Sequence, residues 1–261
     1  RSKYRYHIPG PLNDSMFNAN PEISTRSRNY FSPDIYIPSL TFNYKLSAQT
    51  KINITASGVF GNRSSVMLDA FANVPDTINQ ATGAYKNRQV DIDNFNSRTL
   101  EVRLLHTYKM GKIQGKLATG FVYMNNDLHR RQLGKGTTGS DYDLTLVEPG
   151  FIRDIHFKTG NIALFAENIF QINSHWSVSP GLRFENGNSK MSGVIKYYTS
   201  SELPNTIKHN FLLAGIGSKY LLDKENIIYG GISQAYRPVI FKDIIPASTY
   251  EQIDKNLKDA Y

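Results

Sequence analysis

Alternation of apolar and polar residues, repeated in segment after segment, limits what this chain can fold into more than any other feature. In Leu40–Leu46, Leu40, Phe42, Tyr44 and Leu46 fall on one side of an extended backbone and Thr41, Asn43 and Lys45 on the other. Lys51–Ala56 does the same, with Ile52, Ile54 and Ala56 opposed to Lys51, Asn53 and Thr55. Leu100, Val102 and Leu104 oppose Thr99, Glu101 and Arg103. Trp176, Val178, Pro180, Leu182 and Phe184 oppose Ser177, Ser179, Gly181, Arg183 and Glu185. A strand alternates its side chains between two faces, whereas a helix repeats every ~3.6 residues, and stripes of that kind are nearly absent.

The pattern predicts eight strands, at roughly 35–46, 51–60, 98–108, 114–124, 159–172, 176–186, 207–221 and 226–236. Their connections alternate in length. Short polar turns fall at Ser47–Thr50, Lys109–Lys112, Asn173–His175 and Leu222–Glu225, and long excursions at 61–97, 125–158, 187–206 and 237–261. Structureless loops beyond ~12–15 residues are uncommon in compact soluble domains. Short turns at one end and long loops at the other are the habit of outer-membrane barrels. A soluble sandwich would also alternate, since its apolar faces meet in a core. Aromatic residues near the strand ends favour the barrel, because Tyr44, Phe60, Tyr108, Phe121, Tyr123, Phe170, Trp176 and Tyr220 fit interfacial girdles.

Composition removes other classes. The longest apolar stretch, Phe211–Gly217, is far short of the ~20 residues a spanning helix needs. Cysteine is absent, which excludes a disulfide scaffold, a thiol nucleophile and a thiolate-bound metal. The formal charge of +8 admits an anionic partner without specifying one. Eight strands could close a small barrel. However, Arg1–Pro33 is loop-like and Asp254–Tyr261 reads as a loop entering a further strand, so the expectation is a slice of something larger.

Several runs carry more than periodicity. Ser233-Gln-Ala-Tyr-Arg-Pro238 follows a predicted strand, and Asn256-Leu-Lys-Asp-Ala260 comes about twenty residues later. With Trp176–Glu185, these resemble the late barrel of TonB-dependent outer-membrane receptors, although Asp259-Ala260 stands where that family usually has Pro-Glu. Met124–Ser140 and Ala235–Ser248 are similar to segments of receptors of the ferric dicitrate type. The resemblance runs along essentially the whole chain. It implies an all-β fold, an antiparallel transmembrane β-barrel of 22 strands. Residues 1–261 would supply about eight of them, as part of the C-terminal barrel domain. It also implies an N-terminal plug and a TonB-contacting box, neither of which is seen in this chain. The implied location is the bacterial outer membrane, and the implied cargo a ferric chelate such as iron dicitrate. Implied partners are TonB–ExbB–ExbD, reached through the plug, and outer-membrane lipid and lipopolysaccharide. No cofactor is implied, since iron would arrive as a chelate, and nucleic acid is not an expected partner.

Recognition is expected in the long connections, because scaffolds position loops and loops carry binding. The strongest cluster is His129-Arg130-Arg131-Gln132 with Lys135, beside the glycines of Gly134–Gly139. Guanidinium forks suit a polycarboxylate, each holding a carboxylate through two parallel hydrogen bonds. The plainer alternative is a solvated loop whose arginines meet lipid A phosphates or Asp127, Asp141 and Asp143. Arg237, before Pro238, is a further candidate for ligand contact. Glu101, Arg103, Glu167, Arg183 and Glu185 belong to the polar face, where a solvated lumen needs such residues in any case. Ser248 and Glu251 have the spacing of a capping box and predict a short loop helix. Gly134-Lys-Gly-Thr-Thr lacks P-loop spacing, and the six histidines lack metal-ligand spacing. No catalytic constellation is found, and the chain is not expected to be an enzyme. A passive porin, or an uptake receptor for another ligand, is the alternative.

Overall fold

The computed structural model of the chain describes residues 1–198 and 205–236. Two short strands, β1 (Ser2–Lys3) and β2 (Tyr6–His7), precede one helix, α1 (Asp14–Ala19). The remaining strands are β3 (Tyr30–Tyr36), β4 (Ser39–Lys45), β5 (Thr50–Met67), β6 (Gln89–Met110), β7 (Ile113–Lys135), β8 (Arg153–Gln171), β9 (Trp176–Ile195), β10 (Asn205–Leu221) and β11 (Ile227–Ser233). They form one antiparallel sheet in the order β1-β3-β5-β6-β7-β8-β9-β10-β11, with β2 beside β3 and β4 beside β5. The predicted strand at 35–46 is interrupted at Ile37-Pro38, where proline has no N–H to give the ladder. β3 and β4 nevertheless pair with β5 in one register, Tyr36 opposite Phe60 and Ser39 opposite Ser57.

Cross-strand partners share a face, so the register maps the sheet. One row reads Phe42, Ile54, Val102, Phe121, Leu164, Phe184 and Leu212 across seven strands. The row beside it on the opposite face reads Thr41, Thr55, Glu101, Val122, Ala163, Glu185 and Phe211. Leu40, Phe42, Leu164, Leu182, Leu212 and Ile216 are all exposed on the apolar face. Every predicted girdle aromatic lies on that face, but Phe121 and Tyr123 stand opposite Leu164 and Ile162 in the middle of β7 and β8 and not at the strand ends where a girdle would form. Tyr108, Phe170, Trp176 and Tyr220 gather near the short turns, with Trp176 directly opposite Tyr220.

β5 to β10 run further than the alternation predicts, chiefly toward the long connections, whereas β11 stops at Ser233 instead of 236. β6 begins at Gln89 instead of 98, β7 runs to Lys135 instead of 124, and β9 to Ile195 instead of 186. The excursions expected at 61–97, 125–158 and 187–206 therefore shrink to 68–88, 136–152 and 196–204. The cause is physical. A strand needs only ~9–11 residues to cross a bilayer, and beyond that both faces meet water, so the apolar signature stops while the backbone ladder continues. β7, with 23 residues, is about twice that length. The excursion at 237–261, Arg237, the Asn256–Ala260 run and the predicted helix near Ser248 lie outside the described residues.

Above the long strands the connections are tied together. The Arg26 guanidinium donates to the carbonyls of Ala70 and Phe71 at 3.1 and 3.0 Å. Arg88 pairs with Asp76 at 2.8 Å, both side chains almost fully buried, and its Nε donates to the Gly139 carbonyl at 3.1 Å. The 68–88 and 136–152 connections are thus fastened by the Arg88 side chain, by backbone bonds of Arg88 with Gly136 and Thr137, and by Asn87 Nδ2 donating to the Gly136 carbonyl. Gly193, at φ +128°, sits where a Cβ would run into the Asp154 carbonyl, a position only glycine fills without strain.

Candidate ligand-binding site

The cluster expected in a loop lies on the upper part of β7, so its side chains alternate between faces. Arg130 stands on the polar face and Arg131 on the apolar face, as their partners Asp93 and Ile92 in β6 show. His129 goes with Arg131, and Gln132 with Arg130. Five neighbours in sequence are expected to act as one site, and the strand divides them.

Two arginines converge on the polar face. Asp93 is almost fully buried and accepts from Arg130 Nε at 2.9 Å and Nη2 at 3.0 Å. Arg63 of β5 reaches the same carboxylate from the other side, with Nε at 3.0 Å and Nη2 at 2.8 Å. Two guanidiniums on one carboxylate leave a unit of positive charge at the long-loop end of this face. Gln132 Oε1 accepts from Arg153 Nη1 at 2.7 Å, and Arg153 also bonds the Tyr197 hydroxyl. Beyond a bulge between Val90 and Ile92, Lys135 pairs with Glu148. The bulge places Leu133 at φ +59°, and the Asp91 carboxylate holds it there by accepting from the Leu133 amide at 2.8 Å. Arg63 and Arg153 were missed because 63 and 153 lie in excursions where no pattern placed them on a face.

The other face carries a different group. His129 and His156 stack with centroids 4.0 Å apart. His129 Nε2 lies 2.6 Å from Asp154 Oδ1, and His156 Nδ1 lies 2.9 Å from Asp127 Oδ1. Arg131 lies over the Phe151 ring at 5.6 Å. The histidines are far apart in sequence, and only the β7–β8 register joins them. Lower on the polar face, Glu101 pairs with Arg103, and Arg183 with Glu185, which also accepts from Asn161. These charges are satisfied among themselves.

A family profile described as TonB dependent receptor-like, beta-barrel, matches residues 2–259. The unliganded ferric citrate transporter FecA superposes with a TM-score of 0.71 at 20% identity, covering 90% of this chain and 32% of FecA. The open form of the ferric-catecholate import receptor Fiu from E. coli K12 gives 0.62 at 14% identity, covering 87% and 40% respectively. The copper transporter OprC gives 0.60 at 17% identity, covering 84% and 33%. At these identities the likeness concerns the fold. The chain spans about a third of the length of these transporters. Comparison with curated proteins gave no match.

Proposed function

The chain belongs to the TonB-dependent receptor β-barrel family, and from that premise we propose that it forms part of the barrel wall of an outer-membrane importer for a ferric chelate, iron(III) dicitrate. The family is one of bacterial outer-membrane receptors and transporters rather than enzymes. In such a barrel the apolar face meets lipid and the polar face lines the lumen, which puts Arg63, Arg130, Gln132, Arg153 and Lys135 inside, at the extracellular mouth.

The observation that carries the reading is the pair of guanidiniums sharing Asp93. A polycarboxylate chelate offers planar acceptors that match the guanidinium fork, and the local excess of positive charge favours an anion over a neutral solute. The likeness to a ferric citrate transporter agrees with that chemistry. Capture would begin at these side chains and at Arg237. The tied connections would then close over the chelate, and plug displacement, powered through TonB–ExbB–ExbD, would release it inward. Iron would arrive chelated, so the wall supplies charge and shape without a cofactor.

Uptake of radiolabelled ferric citrate by cells expressing the full-length receptor tests this reading. Uptake that saturates and disappears when TonB is deleted is the expected result. Passive, unsaturable entry, or uptake of ferric catecholates with none of ferric citrate, would overturn it.

A further inference from the structure

Cations are distributed unevenly between the ends of the sheet. Near the short turns, Lys45, Lys51, Lys109, Lys116 and Lys219 all fall on the polar face by register. On the apolar face, Arg98, Lys158, Lys190 and Lys208 all fall toward the long connections. Lys158 and Lys190 stand directly opposite each other on β8 and β9, and Lys208 follows on β10 in the adjacent row, opposite Asn188. Like charges facing each other across a sheet repel. Among the described residues Asp127 is the one carboxylate paired with any of these lysines, at 3.7 Å from Lys158, and it also bonds His156. All three lysines are exposed.

Their height is informative. Leu164 lies midway along β8 between Phe170, in the aromatic row, and Lys158. Six residues span roughly 20 Å of strand, about 15 Å in height at a barrel tilt of ~40°. That is half of a ~30 Å hydrocarbon core. The aromatic row therefore marks one membrane boundary and the lysines the other.

We propose that Lys158, Lys190 and Lys208 form a binding site for the phosphate groups of a phosphorylated lipid in the outer leaflet. The proposal rests on the outer-membrane reading above but not on the cargo. A lipid fits better than free phosphate, because Ile162 and Leu212 lie exposed on the same face below the lysines, with Leu164 further down at mid-depth, where acyl chains would run. The ammonium groups reach the headgroups while their stems cover apolar surface.

The test uses the full-length receptor in detergent, with retained lipid weighed by native mass spectrometry. The probes are bis-phosphorylated lipid A and its dephosphorylated form. Wild type, and a control carrying K109Q, K116Q and K219Q, should retain the phosphorylated lipid. The K158Q/K190Q/K208Q variant should bind it at least roughly tenfold more weakly. K190Q alone, whose lysine has no ion pair among the described residues, should weaken it by about threefold or more, so the proposal stays testable if the triple variant misfolds. Equal retention by variant and wild type, or equal retention of both lipids, would overturn the proposal. Ferric citrate binding measured on the same preparations separates this outcome from failure of the transport reading.

Discussion

Arg130 of β7 stands directly opposite Asp93 of β6 and is joined to it by two N–H···O bonds of 2.9 and 3.0 Å. Arg63 doubles the arrangement from β5. Asp93→Asn would leave two guanidiniums facing each other without their shared counter-charge. Breaking a fully buried pair costs ~3–5 kcal/mol, and water still reaching Arg63 reduces this to about 2–3 kcal/mol. Denaturant unfolding of the full-length receptor in detergent should show that loss.

Arg88→Ala should loosen the 68–88 and 136–152 connections together, although the backbone bonds of residue 88 with Gly136 and Thr137 stay in place. It removes the buried partner of Asp76 and the bond to the Gly139 carbonyl. The expected local cost is about 3–5 kcal/mol. Limited proteolysis of intact cells should show new cleavage in both connections while the barrel strands stay protected. Cleavage in one connection alone would contradict the fastening.

How much of this was legible beforehand depends on depth in the membrane. β4 to β10 were readable wherever one face is apolar, as at Phe42, Ile54, Val102 and Leu164. The upper halves were not, because Asn94, Asn96, Asn125 and Asn126 put polar groups on both faces. The candidate site suffered most. Adjacent Arg130 and Arg131 look like one cluster until a strand is drawn through them, and then they oppose each other. Spacing gave no signal either: Asp93 faces Arg130, but the bulge breaks the register beyond it, so Asp91 meets the Leu133 amide and not Gln132. Nothing local in the sequence could pair His129 with His156, which meet only through register.

Depth also predicts the cost of a charge on the apolar face. Leu164→Arg, at the middle of the band, should destabilise the folded receptor in bilayers by ~2–4 kcal/mol, while Asn188→Arg, opposite Lys208 at its upper edge, should cost ~0–1 kcal/mol. Unfolding equilibria in lipid vesicles measure both. Equal costs would mean that the band is misplaced.

At the opposite end, the turn before β11 is shaped by Asp223. Its carboxylate accepts from Asn226 Nδ2 at 2.8 Å and from the amides of Glu225 and Asn226 at 2.8 and 2.7 Å. The Asn226 side chain, followed by the two amides, holds its pKa below the ordinary carboxylate value. A depressed folded pKa means that this contribution is complete above the unfolded pKa of ~3.9 and is lost as pH falls through the folded one. Amide exchange at Asn226 should therefore speed up in acid relative to its intrinsic rate, and D223N should abolish that dependence.

The account turns on which of two adjacent arginines meets the chelate. Calorimetric titration of ferric citrate into the full-length receptor, comparing R130Q with R131Q, tests it most directly. A hydrogen bond to a charged group contributes about 1.5–3 kcal/mol, so R130Q should weaken binding roughly ten- to a hundredfold. R131Q, changed on the outward-facing side, should leave affinity within about twofold. Equal losses in both variants, or an unchanged R130Q, would contradict capture on the polar face.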